Sequence, residues 1–327
     1  MIKVAIVGAT GLVGSTFLKV LEEKKLPIDS YTLLASKKSQ GKTIKFMDKD
    51  FVVEELNEHS FDNNRFDYAL FSAGGNVSKK YAPIAVKNNC TVIDNSSTFR
   101  MDKNVPLVVP EVNASDILKN IGIIANPNCS TIQAVIPLKV LHDNYKIKRI
   151  IYSTYQAVSG AGIKGIDDLE KNEYWINPQK FPYPIHNNCL PHIDVFMENG
   201  YTKEEMKMIE ETKKILNDTS INITATTVRV PVRNCHSESI NIEFENDFNI
   251  DELKQLLNNK EGIVVLDDIN KEIYPIASFV DGKDEVFIGR IRRDYSIKSG
   301  LNMWVVADNI RKGAATNAVQ ILEKLIT

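Results

Sequence analysis

Apolar and polar positions follow two different rhythms along the 327 residues. In the first part, short β-rich apolar runs are separated by stretches with helical spacing. Residues 3–7, 31–35, 68–72, 91–94 and 121–125 read as strands, and 11–24 and 78–88 as helices. Strands that alternate with helices need crossovers, and right-handed βαβ crossovers build a parallel sheet covered on both faces. The pattern therefore predicts a doubly wound, nucleotide-binding type of α/β domain.

Beyond Asn126 the rhythm changes. A helix over 130–144 precedes segments 149–155, 221–231, 239–244, 263–267, 286–293 and 302–307, which read as strands, several alternating apolar with polar residues. Such alternation suits a mostly antiparallel sheet with one wet or partner-covered face, hence an α+β second domain. Residues 160–200 are irregular and too long for an idle loop. Residues 309–325 read as a closing helix that returns to the first domain. The expected division is 1–127 completed by 309–327, and 128–308.

Composition narrows the function. The chain is 43% hydrophobic and 25% charged, as in ordinary globular proteins. Its 40 Lys and Arg against 42 Asp and Glu give a charge of −2, so no basic field exists to hold nucleic acid. No run approaches the roughly 18 apolar residues of a membrane span, and the chain begins directly with a strand pattern, so a cytoplasmic protein without nucleic-acid or membrane partners is expected. Cys90, Cys129, Cys189 and Cys235 are widely separated, without zinc-site spacing, so neither disulfides nor a metal are expected.

The candidate chemistry begins where the first strand turns into Gly8-Ala9-Thr10-Gly11-Leu12-Val13-Gly14. Glycines there let backbone N–H groups approach a pyrophosphate at a helix N-terminus, which predicts a dinucleotide site. After the second strand the sequence is Ala35-Ser36-Lys37-Lys38-Ser39 rather than an acidic residue, which suits a 2′-phosphate and favours NADP over NAD. Cys129 follows Asn126-Pro127-Asn128. Pro127 biases Asn126 away from helix and Asn128 is a natural cap, which puts Cys129 on a first helical turn, where orphan N–H groups stabilise a thiolate. The other three thiols have no such setting and are expected in the core. Among five histidines, His236 and His192 compete for an acid/base role, and the spacing leaves the choice open.

Seven ordered motifs carry a family resemblance over essentially the whole chain: residues 8–14, Phe71-Ser72-Ala73-Gly74-Gly75, Asp94 to Arg100, Asn126 to Thr131, Gln156 to Gly162, Glu204 to Lys207, and Arg229-Val230-Pro231 through His236-Ser237-Glu238-Ser239. The chain resembles the aspartate-semialdehyde dehydrogenases. That resemblance implies a Rossmann-type NADP-binding domain and a catalytic and dimerisation domain. It implies NADPH-dependent reductive dephosphorylation of L-aspartyl 4-phosphate to L-aspartate 4-semialdehyde, on the route to lysine, methionine and threonine, by a homodimer or a dimer of dimers built on the second domain's sheet.

By the same resemblance Cys129 is the nucleophile that forms a thioester, His236 the general acid/base and Gln156 the residue that orients the acyl group. Arg229 would clamp the α-carboxylate, Glu204 the α-ammonium, and Arg100 and Lys207 the phosphate. Thr10, Gly11, Leu12, Val13, Ser36, Lys38, Ser159, Gly160 and Asn309 would line NADP(H). Many relatives have Cys where Thr227 stands and Arg where Lys38 stands; the second change keeps the charge but loses the bidentate fork. An N-acetyl-γ-glutamyl-phosphate reductase shares the acyl-phosphate logic, but Glu204 would have no ammonium to meet there. A non-catalytic NADP-binding protein is the alternative from another class.

Overall fold

A computed structural model of the chain describes residues 1–171 and 176–327. These form two compact units, Met1–Pro127 with Ala314–Thr327, and Asn128–Gly313. The second crossing thus lies at Gly313, not at Asp308, because residues 309–313 pack with the second unit.

In the first unit the strands are β1 (Lys3–Val7), β2 (Ser30–Ala35), β3 (Thr43–Phe46), β4 (Lys49–Val52), β5 (Glu54–Glu55), β6 (Tyr68–Phe71), β7 (Thr91–Asp94) and β8 (Ile123–Ala125). Six of them form a parallel sheet in the order β5-β2-β1-β6-β7-β8. Strand order reverses between β1 and β6, the switch point at which doubly wound sheets bind ligands. Val4 to Val7 are fully buried, as a central strand covered on both faces requires. Phe17 and Leu21 of the helix Leu12–Lys24 share one core with Val319 and Leu322 of the closing helix.

That closing helix begins later than the periodicity predicts. Arg311–Thr316 forms a π-helical turn and the regular helix spans Asn317–Ile326. The hairpin β3-β4 is a second departure. Met47 and Asp48 at its tip both have positive φ, at 50° and 58°, as a two-residue primed turn requires, but Met-Asp carries none of the Asn-Gly chemistry that announces such a turn.

The second unit contains β9 (Ile147–Gln156), β10 (Asn222–Arg229), β11 (His236–Phe244), β12 (Ile263–Val265), β13 (Val286–Asp294) and β14 (Gly300–Ala307), in the order β10-β9-β11-β14-β13-β12. The three inner pairings are antiparallel and the two edge pairings parallel, so the sheet is mixed. Along β11, His236, Glu238, Ile240, Ile242 and Phe244 are buried, while the residues between them are partly exposed. Helix Cys129–Tyr145 packs against β9, β11 and β14, and helix Lys203–Leu216 packs against β10. The apolar periodicity assigns no element to that second helix. Its own start was readable: Thr202 and Glu205 form a reciprocal capping box, the pattern T-x-x-E.

Candidate active site

Asn128 sets the start of the helix that carries Cys129. Its backbone is extended, and its Oδ1 accepts from the N–H of Ser130 at 3.0 Å and of Thr131 at 3.3 Å, the cap expected from the sequence. Cys129 is therefore the first helical residue, and its side chain is only partly buried. Behind it lies Gly313: a Cβ there would stand 2.8 Å from Cys129 Cβ and 3.2 Å from its Cα. Only glycine permits this approach, and no motif around residue 313 reveals it.

Asn128 is gripped by one helix. Its N–H donates to Glu211 Oε2 at 2.7 Å and its side-chain amide to Glu204 Oε1 at 2.8 Å. Glu204 and Glu211 are two helical turns apart and share one buried face. Lys207, on the same face, reaches Glu204 Oε2 at 3.0 Å and Asp194 at 2.8 Å. Burial pushes the Glu204 carboxyl up, but Lys207, Asn128 and Arg229 outweigh it and hold the group ionised, below its ordinary pKa. Glu205 is spent on structure, accepting from the N–H groups of Thr202 and Thr227.

The sheet supplies the facing groups from adjacent strand ends. Gln156 ends β9 and Arg229 ends β10, paired in register, while His236 opens β11. Arg229 Nη1 donates to Ala157 O at 2.6 Å. Cys129 lies near enough for its charge to act on the guanidinium. The N–H of Ala157 donates to His236 Nδ1 at 3.0 Å, so the neutral ring carries its proton on Nε2. Nε2 is buried and has no hydrogen-bond partner among the described residues. Burial, then the charge of Arg229, holds the imidazole well below its usual range. Gly160 faces both groups: a Cβ there would come within 2.9 Å of Arg229 Nη1 and 3.2 Å of His236 Nε2.

His192 is stacked on Phe196, with ring centroids 4.2 Å apart. Asn309 lies before the π-helical turn, not on the closing helix. Its Oδ1 accepts from the N–H of Cys235, and its amide bonds Ser159, so these two expected cofactor residues are tied to each other. Of the other thiols, Cys90 and Cys235 are buried, and burial pushes Cys90 up to about 12. Cys189 is exposed, contrary to the expectation of a core residue, because it sits in the irregular segment rather than in an element. Cys235, Asp281 and Asp308 converge to within 4.8 Å, a grouping the linear spacing conceals. Asp308 there is occupied in accepting from the N–H groups of Gly282, Ile310 and Arg311.

In the first unit, the turn at Gly8 has φ 87°, and a Cβ would meet Ser72 O at 2.5 Å. A Cβ on Gly14 would meet Gly8 O at 2.0 Å. Gly11 precedes the helix Leu12–Lys24 without any side-chain cap or acidic residue in the first turn, so the helix presents bare N–H groups. Thr10 Oγ1 meets Ser39 Oγ at 3.3 Å, which joins this turn to the Lys37–Ser39 turn beside Ser36 and Lys38, both exposed. The uncapped N-terminus, the glycine cradle and the adjacent cations fit a dinucleotide phosphate. Arg100 is buried, its Nε on Asn126 O at 2.9 Å and Nη2 on Asn95 O at 3.0 Å.

Comparison with known proteins gives consistent matches. Residues 3–120 match the family model "Semialdehyde dehydrogenase, NAD binding domain" and residues 138–312 "Semialdehyde dehydrogenase, dimerisation domain". The aspartate-semialdehyde dehydrogenase of Aquifex aeolicus is 55% identical, over 99% of this chain and 98% of its own length. The crystal structure of aspartate semialdehyde dehydrogenase II from Vibrio cholerae, complexed with ASA, superposes with a TM-score of 0.95 at 48% identity, covering 100% of this chain and 98% of that one. The Candida albicans enzyme with NADP gives 0.79 at 27% identity, over 99% and 98%.

Proposed function

The chain belongs to the aspartate-semialdehyde dehydrogenase family, and we propose that it reduces L-aspartyl 4-phosphate to L-aspartate 4-semialdehyde with NADPH, through a thioester on Cys129. The observation that carries this reading is the bond between Asn128 and Glu204, which sets a carboxylate fit for an α-ammonium beside the capped start of the nucleophile's helix.

Cys129 thiolate adds to the acyl carbon, the carbon–oxygen bond to phosphate breaks, and phosphate departs. The Thr10 to Val13 turn with Ser36 and Lys38, and Ser159, Gly160 and Asn309, would hold NADPH, which would supply the hydride when bound. The tetrahedral oxyanion on Cys129 then expels the thiolate and leaves the aldehyde. Thioester formation takes up one proton at the departing phosphate, which leaves as hydrogen phosphate, whereas collapse of the oxyanion to aldehyde and thiolate takes up none. His236 serves as a neutral donor from Nε2 to the oxyanion, the donor half of the acid/base role the resemblance implies: its Nδ1 is already occupied as an acceptor and its pKa is held low. Arg229 clamps the α-carboxylate, Gln156 orients the acyl oxygen, and Arg100 and Lys207 receive phosphate. Lys207 gives up part of its hold on Asp194 and Glu204 to do so.

A homodimer on the outer face of β9, β11 and β14, where Tyr155 and Trp304 rings lie 5.4 Å apart, completes the assignment. The setting is the cytoplasm; among the described residues no helix is long and apolar enough to cross a membrane. The deciding experiment is an initial-rate assay in the reverse direction with aspartate semialdehyde, phosphate and NADP. Phosphate-dependent reduction of NADP that disappears in Cys129→Ser is expected; turnover surviving in that variant would refute the thioester.

A further inference from the structure

Both hydrogens of the Gln156 side-chain amide are committed. Nε2 donates to Thr154 Oγ1 and to Glu204 Oε1, each at 3.3 Å, and an amide nitrogen carries two hydrogens. A carboxylate only accepts, so the nitrogen end of the amide must face Glu204. Gln156 is 1% exposed. In this arrangement it has no hydrogen to offer an acyl oxygen. Glu204 meanwhile holds Asn128 on Oε1 at 2.8 Å and Lys207 on Oε2 at 3.0 Å. The Gln156 bond is the longest of the three and lies past the usual range for N–H···O contacts, so it yields first to an incoming cation.

We propose that Glu204 parks Gln156 in the substrate-free site, and that the substrate's α-ammonium, on reaching Glu204, releases one Nε2–H of Gln156 to the acyl oxygen. This rests on Glu204 as the ammonium acceptor. The amino group then acts twice: it anchors the substrate, and it frees a second oxyanion donor to join His236 Nε2. A single such donor contributes about 100-fold or more to kcat. Discrimination against acyl compounds without an amino group is thus expressed in kcat as well as KM, as induced fit requires.

Succinate semialdehyde, which is aspartate semialdehyde without the amino group, tests this on the whole enzyme with phosphate and NADP. In the wild type its kcat should fall about 100-fold below that of aspartate semialdehyde, with a raised KM. In Gln156→Ala, where no amide remains to be released, the kcat gap should shrink to below about threefold while the KM gap persists. Thr154→Val leaves one Gln156 hydrogen uncommitted from the outset, and should raise kcat on succinate semialdehyde at least about tenfold relative to wild type. An unchanged kcat gap in Gln156→Ala, or no gain in Thr154→Val, overturns the release. If the wild-type KM gap is absent, the assignment of Glu204 falls with it; a KM gap alone overturns the release and leaves Glu204 standing.

Discussion

Asn128 donates to Glu204 at 2.8 Å while its own oxygen caps the helix that begins at Cys129. The residue before the nucleophile thus answers to two demands, helix geometry and the buried carboxylate. Asn128→Ala should lose about 1 kcal/mol for the cap, and more for a Glu204 left short of a donor. Asn128→Ser restores the cap alone, so its melting temperature should lie between alanine and wild type. Thermal unfolding of the three proteins checks the order, and equal losses for Ala and Ser would show that the Glu204 bond, not the cap, dominates.

His236 should behave as a donor. Its folded pKa is depressed by burial and by Arg229, so the ring is neutral in the folded protein through the ordinary imidazole range. The pH profile of kcat should then show no limb near 6.5, and nitrogen NMR should report the Nε2–H tautomer. Glutamine can place an amide N–H near the position of Nε2. His236→Gln should accordingly retain at least about tenfold more activity than His236→Ala, in line with one oxyanion donor; parity between them would favour a proton-transfer role. Stability follows the same sign: the unfolded ring binds a proton below 6.5 and the folded one does not, so stability is lost as pH falls from 6.5 towards the folded value.

The parts legible in sequence were those set by neighbours along the chain. The glycine turn after β1 and the Pro127-Asn128 cap before Cys129 are local, and both stand where the pattern places them. Helix Lys203–Leu216 escaped periodicity because its buried face carries Glu204, Glu205 and Glu211 among its apolar residues. Those carboxylates are buried only because partners from Asn128, Thr227 and Lys207 meet them, and no spacing rule anticipates tertiary partners. The role of Gly313 and the tautomer of His236 are illegible for the same reason.

Glu238 lies on the same face of β11 as His236, and both its carboxyl oxygens are buried with no hydrogen-bond partner among the described residues. Burial raises its pKa well above 4.5, so the group is protonated when folded. Above 4.5 the unfolded side chain ionises and the folded one does not, and stability falls as pH rises towards the folded value. Glu238→Gln removes that titration. The variant's melting temperature relative to wild type should therefore climb between pH 5 and pH 8, and a difference independent of pH would show that Glu238 is ionised in the fold.

At Gly313 even one methyl group is excluded, since the nearest atoms are Cβ and Cα of Cys129, both fixed by the helix. Gly313→Ala must shift the π-helical segment or the start of the nucleophile's helix. A destabilisation of about 1 to 3 kcal/mol is expected, with a loss of at least about tenfold in kcat, since a displacement near the reacting atom is felt directly. Unfolding and turnover measured together decide it: full activity in a destabilised protein would mean that the backbone yields away from Cys129.

Cofactor choice follows from the turn beside the glycine cradle. Ser36 is exposed and extended, directly before the Lys37–Ser39 turn that meets Thr10 through Ser39, and no acid stands there to bond a ribose 2′-hydroxyl. The ratio of kcat/KM for NADP over NAD should exceed about tenfold, or roughly 1.4 kcal/mol. Ser36→Asp is structurally mild, because aspartate also suits the position before a helical turn, yet it puts a like charge against a 2′-phosphate. It should pull the ratio below one, whereas Lys38→Arg should raise it by restoring a bidentate fork. A ratio unmoved by either change would place the 2′-phosphate away from this turn.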